Sequence, residues 1–188
     1  MIVWESATNK LYFYANNGAG SFSTGSDSVF STNGVYASLG TVRSADIDDD
    51  GDLDLIIPTA AASANYVAVN NGSATFTVST AFDTVNAKNI VPADTDNDGD
   101  LDMFVANQSG QNYLYENNGS GSFTQVAAFG AAANTTSIID PADFDGDGYL
   151  DAVIINEDGS GNYFAWNRGD GTFDLQSLSA ASDFNTKF

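Results

Sequence analysis

The chain has 188 residues, 43% of them hydrophobic, which is enough to bury a sizeable core and excludes a disordered chain. Five Lys/Arg against 25 Asp/Glu give a formal charge of −20, which repels phosphate backbones and anionic lipid surfaces and argues against both as partners. With no cysteine and no histidine, disulfides, thiolate metal sites and the usual general base are excluded.

From the N-terminus, "MIVWESATNK" has neither a basic n-region nor a cleavable h-region, and no stretch approaches 18 apolar residues. An export signal, if one is used, is expected outside this chain. "MIVWES" reads as a strand, and "LYFYANNGAGSF" at 11–22 reads as a hairpin of aromatic strands around Asn17-Gly18. The first acidic loop follows at 46–54, "DIDDDGDLD", then a β-rich run "LDLIIP" and a second hairpin, "NYVAVNNGSATF", around Asn71-Gly72. The same succession recurs from Asp94, with "DTDNDGDLD", "LDMFVA" and "NYLYENNGSGSF" around Asn118-Gly119. It recurs again from Asp143, with "DFDGDGYLD", "LDAVII" and "NYFAWNRGDGTF". The Asn-Gly pairs supply the positive φ angles of tight turns. The Ala-rich pieces "TAAASAN" and "GAAANTT" fall at connector positions and read as loops.

The acidic loops are spaced by 48 and 49 residues. Each unit holds four strands: one before the loop, one after it, and the two hairpin arms. Units of that length predict an all-β fold, a β-propeller of about four ~48-residue, four-stranded blades. The whole of 1–188 then forms one repeat array, with units of approximately 1–40, 41–88, 89–136 and 137–188. Both ends fall mid-blade, so the last strand, about 184–188, is expected to complete a first blade that opens at Ile2. That completion can occur within one chain, between neighbouring molecules in a head-to-tail filament, or within a longer propeller.

Fifteen of the 25 carboxylates lie in the three nine-residue loops. Four carboxylates converging to about 4 Å repel by roughly 6–24 kcal/mol in total, and a net stability of about 5–15 kcal/mol does not carry three such clusters. A cation is therefore expected in each. Loop positions 1, 3 and 5 can wrap one centre, Gly at position 6 permits a sharp turn, position 7 offers a carbonyl, and the Asp at position 9 closes the shell. The candidate ligands are Asp46, Asp48, Asp50, Asp52 and Asp54; Asp94, Asp96, Asp98, Asp100 and Asp102; and Asp143, Asp145, Asp147, Tyr149 and Asp151. Position 7 is Asp, Asp and Tyr, as suits a carbonyl contact. Position 4 is Asp49, Asn97 and Gly146, as suits an outward side chain. Oxygen-only shells favour Ca²⁺, about three ions, over the stricter octahedron of Mg²⁺. An EF-hand is excluded, because its twelfth position would be Ile57, Val105 or Ile154, inside a strand.

"ADTDNDGDLDMFVAN" followed by "NYLYENNGSGSF" resembles the VCBS/FG-GAP repeats of the integrin-α type β-propeller, over essentially the whole chain; "FGAA" at 129–132 is the only trace of the FG element. The resemblance implies an extracellular or cell-surface propeller with structural calcium loops. Four repeats are fewer than that family's rings usually hold.

No catalytic residue is expected, since the carboxylates outside the loops, such as Glu5, Glu116, Glu157, Asp158, Asp170 and Asp174, do not converge, and the five cationic residues are scattered. The aromatic sets Tyr12/Phe13/Tyr14, Tyr113/Tyr115 and Tyr163/Phe164/Trp166 suit core packing on alternate faces better than sugar stacking. Sequons at Asn71, Asn107, Asn118 and Asn134 are read as hairpin or loop positions. The expected function is a non-enzymatic, calcium-binding module for adhesion or assembly, self-associating through its incomplete terminal blades, with a protein or glycan ligand, no nucleic acid and no membrane insertion. The alternatives are a subunit of a surface filament and a polysaccharide-binding or polysaccharide-lyase-type domain.

Overall fold

The run that follows each acidic loop is apolar at consecutive positions, which a strand tolerates only when its sheet is covered on both faces. In the computed structural model these runs are central strands. The described residues are 2–5, 10–14, 18–22, 30–31, 40–59, 64–73, 75–78, 85–130, 135–157, 159 and 161–178. They form strands only, paired antiparallel in four sheets with simple meander order.

The first sheet contains β1 (Ile2–Glu5), β2 (Lys10–Phe13) and β3 (Phe30–Ser31). The second contains β4 (Arg43–Ala45), β5 (Asp54–Ile57), β6 (Tyr66–Asn70) and β7 (Phe76–Val78); the third contains β8 (Ala87–Ala93), β9 (Asp102–Asn107), β10 (Asn112–Asn117) and β11 (Phe123–Phe129). The fourth contains β12 (Thr136–Ala142), β13 (Asp151–Asn156), β14 (Asn162–Asn167) and β15 (Phe173–Leu178). Pro92 and Pro141 lie in β8 and β12, edge strands where a missing N–H disturbs no inner ladder.

The expectation of four four-stranded blades is corrected to three four-stranded sheets and one of three strands, with no closed ring among the described residues. The physical reason is that the first unit has no acidic loop and so no strand leading into one. Its fourth strand was expected from about 184–188, which lie outside the described residues, as do 60–63 and 131–134 of the Ala-rich connectors.

The second, third and fourth sheets stack face to face in that order. One core lies between the second and third sheets, with Ile47, Ile56, Val67, Ile90, Met103 and Val105. The other lies between the third and fourth, with Phe104, Leu114, Phe129, Ile139, Ile154 and Ala165. The period of two sends neighbouring side chains to opposite cores: Phe104 faces the next sheet while Met103 and Val105 face the preceding one. The first strands approach one another, β4 against β8 and β8 against β12. Thr41 donates its N–H to the Lys88 carbonyl at 3.0 Å and pairs in parallel with Asn89. A side chain at Gly40 would stand 2.8 Å from the Lys88 carbonyl carbon and 2.8 Å from Pro58 Cβ, so glycine is required for that approach. Lys88 also reaches Glu157 across the sheets, at 2.5 Å.

The alternation expected of the aromatic sets is present. Tyr113 and Tyr115 face one core, with ring centroids 6.3 Å apart, whereas Phe164 and Trp166 stack at 5.0 Å on the face opposite Tyr163.

Candidate metal centre

Each acidic loop joins the first strand of its sheet to the second. Its path is set by two left-handed residues. Position 6 is glycine throughout, with φ of 91° at Gly51, 98° at Gly99 and 95° at Gly148. Position 4 is left-handed as well, with φ of 57° at Asp49, 64° at Asn97 and 79° at Gly146. Position 4 is exposed in all three loops, in keeping with an outward side chain, and its left-handed backbone adds a second demand. Asp, Asn and Gly are the residues that tolerate αL, and that shared property was the signal available in the sequence. At Gly146 an added Cβ meets nothing within 4 Å, whereas at Gly169 it runs into the Tyr149 ring. Gly146→Ala is expected to cost about 1 kcal/mol from backbone strain alone. Gly169→Ala is expected to cost clearly more, as paired denaturant titrations would read; equal losses would contradict the geometry.

The position 1 carboxylates organise the backbone. Asp46 accepts N–H groups of Asp50 and Gly51, Asp94 those of Asn97 and Gly99, and Asp143 those of Gly146 and Gly148, at 2.7 to 3.2 Å. Position 5 Asp50, Asp98 and Asp147 each accept the N–H of position 7 at 2.9 Å. Asp96 and Asp145 accept from Asp98 and Asp147.

Position 9 is different in kind. Asp54, Asp102 and Asp151 are buried at 0%, 1% and 0% exposure. One oxygen accepts the N–H of loop position 2 (Ile47, Thr95, Phe144), and the other accepts the N–H of the asparagine that ends the third strand (Asn70, Asn117, Asn167), at 2.8 to 3.0 Å. That asparagine returns its side-chain amide to the carbonyl of Leu53, Leu101 or Leu150. The sequence reading missed this stitch, although the asparagine stands before the hairpin turn in all three repeats. It also missed the Asn of each Asn-Tyr pair: Asn65, Asn112 and Asn162 accept N–H groups of Thr59, Asn107 and Asn156, closing the opposite turn.

Position 7 carries no side-chain ligand in these clusters. Asp52, Asp100 and Tyr149 instead lie over Gly72, Gly119 and Gly169 of the neighbouring hairpin. Those hairpins are not built from two positive-φ residues as expected. Gly72 and Gly119 are positive, but Asn71 and Asn118 are not; their side chains accept the N–H of Ser73 and Ser120 instead. The Asn107 sequon is also corrected. Asn107 ends β9 with 5% exposure, and its amide bonds Gln111 and Ser109, so no glycan reaches it. Asn134 lies outside the described residues.

The outcome is one carboxylate group in each loop, drawn from positions 1, 3 and 5 in the first loop and from positions 1, 3 and 9 in the other two, so that Asp54, Asp98 and Asp147 fall outside these groups. Oxygens of Asp46, Asp48 and Asp50, of Asp94, Asp96 and Asp102, and of Asp143, Asp145 and Asp151 lie within 4.8 Å of one another in each set. Burial first, then mutual repulsion, pushes the Asp48 carboxyl above the usual carboxylate range; burial leads for Asp54, Asp96 and Asp151 as well. Asp48 Oδ1 is buried without a hydrogen-bond partner. A buried acceptor with no donor, among carboxylates that repel one another, is a place that could hold a cation. The donor sets are all oxygen, as a hard divalent ion requires.

The loops share one rim of the stack. Asn97 donates its side-chain amide to the Gly148 carbonyl at 2.9 Å and Asn117 donates to the Ile47 carbonyl at 2.8 Å; the Asp100 carboxyl is pushed up by burial first, then by Asp98 of its own loop and Asp49 of the preceding one.

The FG-GAP-like repeat profile matches residues 46–105, 94–154 and 143–186, three overlapping copies that each start on an acidic loop. The chain belongs to the FG-GAP-like repeat family. Among curated proteins, none matches the chain. FG-GAP-like repeats form β-propeller-like modules, are typically non-enzymatic, and are typical of extracellular or surface proteins. Among the described residues, no helix is long and apolar enough to cross a membrane.

Proposed function

We propose that this FG-GAP-like chain is a calcium-stabilised propeller-type module of an extracellular or cell-surface protein, serving adhesion or assembly rather than catalysis. The observation that carries the reading is the threefold recurrence of convergent carboxylates with a buried position 9 Asp. Calcium would be held by positions 1, 3, 5 and 9, with the carbonyl of Asp52, Asp100 or Tyr149 as a further oxygen. The ion supplies charge neutralisation. The chain supplies a loop already folded by its own N–H donors, so little ordering remains on binding. Affinities of about 10⁻⁴–10⁻³ M, as in extracellular modules, load such sites outside cells and leave them empty in the cytosol.

Isothermal titration of the metal-free protein with Ca²⁺ is expected to give about three sites per chain, with Mg²⁺ much weaker because it demands a stricter octahedron. A flat titration at millimolar calcium would remove the reading.

A further inference from the structure

We propose that Asn97 is a positioning residue for the neighbouring acidic loop: from the third sheet it holds the Gly148–Tyr149 peptide of the 143–151 loop in the orientation that a bound cation requires. The inference rests on the calcium reading above and adds to it a residue outside the ligand set. Asn97 stands at position 4 of the 94–102 loop, exposed and uncharged, and its side-chain amide donates to the Gly148 carbonyl at 2.9 Å.

That carbonyl belongs to a peptide with a second bond. On its other side the Tyr149 N–H donates to Asp147 Oδ1 at 2.9 Å. Because a peptide unit is planar, fixing its carbonyl also fixes where its N–H points, and so where the Asp147 carboxylate is drawn. The same plane carries the nitrogen of Tyr149, whose own carbonyl is the further oxygen offered at position 7. One amide from the next sheet thus bears on positions 5 and 7 together.

The 143–151 loop needs such a brace more than the other two. Asp147 is flanked by Gly146 and Gly148, both left-handed at φ of 79° and 95°, with open space where a Cβ would stand. In the other loops position 4 carries Asp49 or Asn97. Glycine has the widest range of backbone conformations, so this loop loses most freedom when an ion fixes it. Asp147 also stands outside the convergent group of Asp143, Asp145 and Asp151, so its approach depends on the backbone that carries it. With the brace in place, that freedom is restricted before an ion arrives. Without it, only a fraction of loops is competent to bind, and affinity falls by that fraction.

The donor is particular to Asn97. Asp49, at the same position of the first loop, only accepts when ionised, and Gly146 has no side chain. The bond to the other side has the same form: Asn117 donates to the Ile47 carbonyl at 2.8 Å, in the peptide that leads into Asp48, whose Oδ1 is buried without a hydrogen-bond partner. Asn117 also holds its own loop through Leu101 and Asp102, so Asn97 is the residue on which the effect can be read alone.

The test is a calcium titration of the metal-free protein followed by NMR, comparing wild type with Asn97→Gly. Glycine already fills position 4 at Gly146, so the substitution suits the αL backbone, leaves the net charge unchanged and removes the donor. Each loop has its own reporter, since the N–H groups of Gly51, Gly99 and Gly148 donate to the position 1 carboxylates of Asp46, Asp94 and Asp143. The expected result is a calcium midpoint at Gly148 raised about two- to tenfold, the worth of one hydrogen bond, with the Gly51 and Gly99 midpoints and the melting temperature under chelation unchanged. A merely structural role for Asn97 would move the melting temperature rather than one midpoint. An unchanged Gly148 midpoint overturns the proposal and leaves the calcium reading intact. An equal rise at Gly99 and Gly148 overturns it too, because the 94–102 loop would then have softened as a whole. If no glycine amide responds to calcium in wild type, the reading and the proposal fall together.

Discussion

Chelating calcium is expected to lower the melting temperature of this protein by about 15–30 °C relative to a sample in 10 mM Ca²⁺. At about 100 times a dissociation constant of 10⁻⁴ M, each site adds about 2.7 kcal/mol, so three add roughly 8 kcal/mol, and a chain of this size shifts by about 2–4 °C per kcal/mol. The pH dependence should change sign with the metal. In the chelated protein, Asp48, Asp54, Asp96 and Asp151 have folded-state pKa values raised above those of the unfolded chain. Their contribution is complete below the unfolded value and is lost as pH rises through the folded ones. Metal-free stability should therefore decline upward from about pH 4. Glu157 and Asp170 are shifted down and oppose this, but both are exposed, so their effect is small. With calcium, which takes only ionised carboxylates, stability should instead rise over the same interval. Melts at three pH values, with EDTA and with Ca²⁺, decide the matter. Parallel curves would mean that the carboxylate groups do not hold the ion.

Asp102→Ala should destabilise the protein by about 2–6 kcal/mol even under chelation, because it strands two buried N–H donors at about 1–3 kcal/mol each. Those donors are Thr95 and Asn117, both at 2.9 Å, and the Thr95 hydroxyl loses its acceptor too. Asp98→Ala makes the contrast. Asp98 is exposed and holds only the Asp100 N–H, so under chelation its removal, which also relieves repulsion, should be near neutral; with calcium it should lose one site. Urea titrations of both variants in both conditions separate the two roles. If Asp98→Ala were as damaging as Asp102→Ala without metal, position 9 would have no special structural part.

The acidic loops, their glycine at position 6, the four-strand repeat and the all-β class were legible because each depends on short-range spacing: carboxylates two residues apart, a turn of fixed φ, apolar alternation with period two. The αL demand at position 4 was legible too, once Asp49, Asn97 and Gly146 are taken together as residues sharing a conformation. What remained hidden involves partners distant in sequence. The bond from Asn117 to Asp102 spans the hairpin, and the bond from Asn117 to Ile47 spans two sheets, so neither leaves a local pattern.

By itself, then, the sequence determined strands, loops and the crowding of charge, since backbone preference and Coulomb repulsion act between near neighbours. Only the tertiary structure decided that Asp54, Asp102 and Asp151 are buried brackets joining loop to hairpin, and that the three loops share a rim. Burial is a property of what lies across a sheet, and that is set by stacking, not by spacing along the chain.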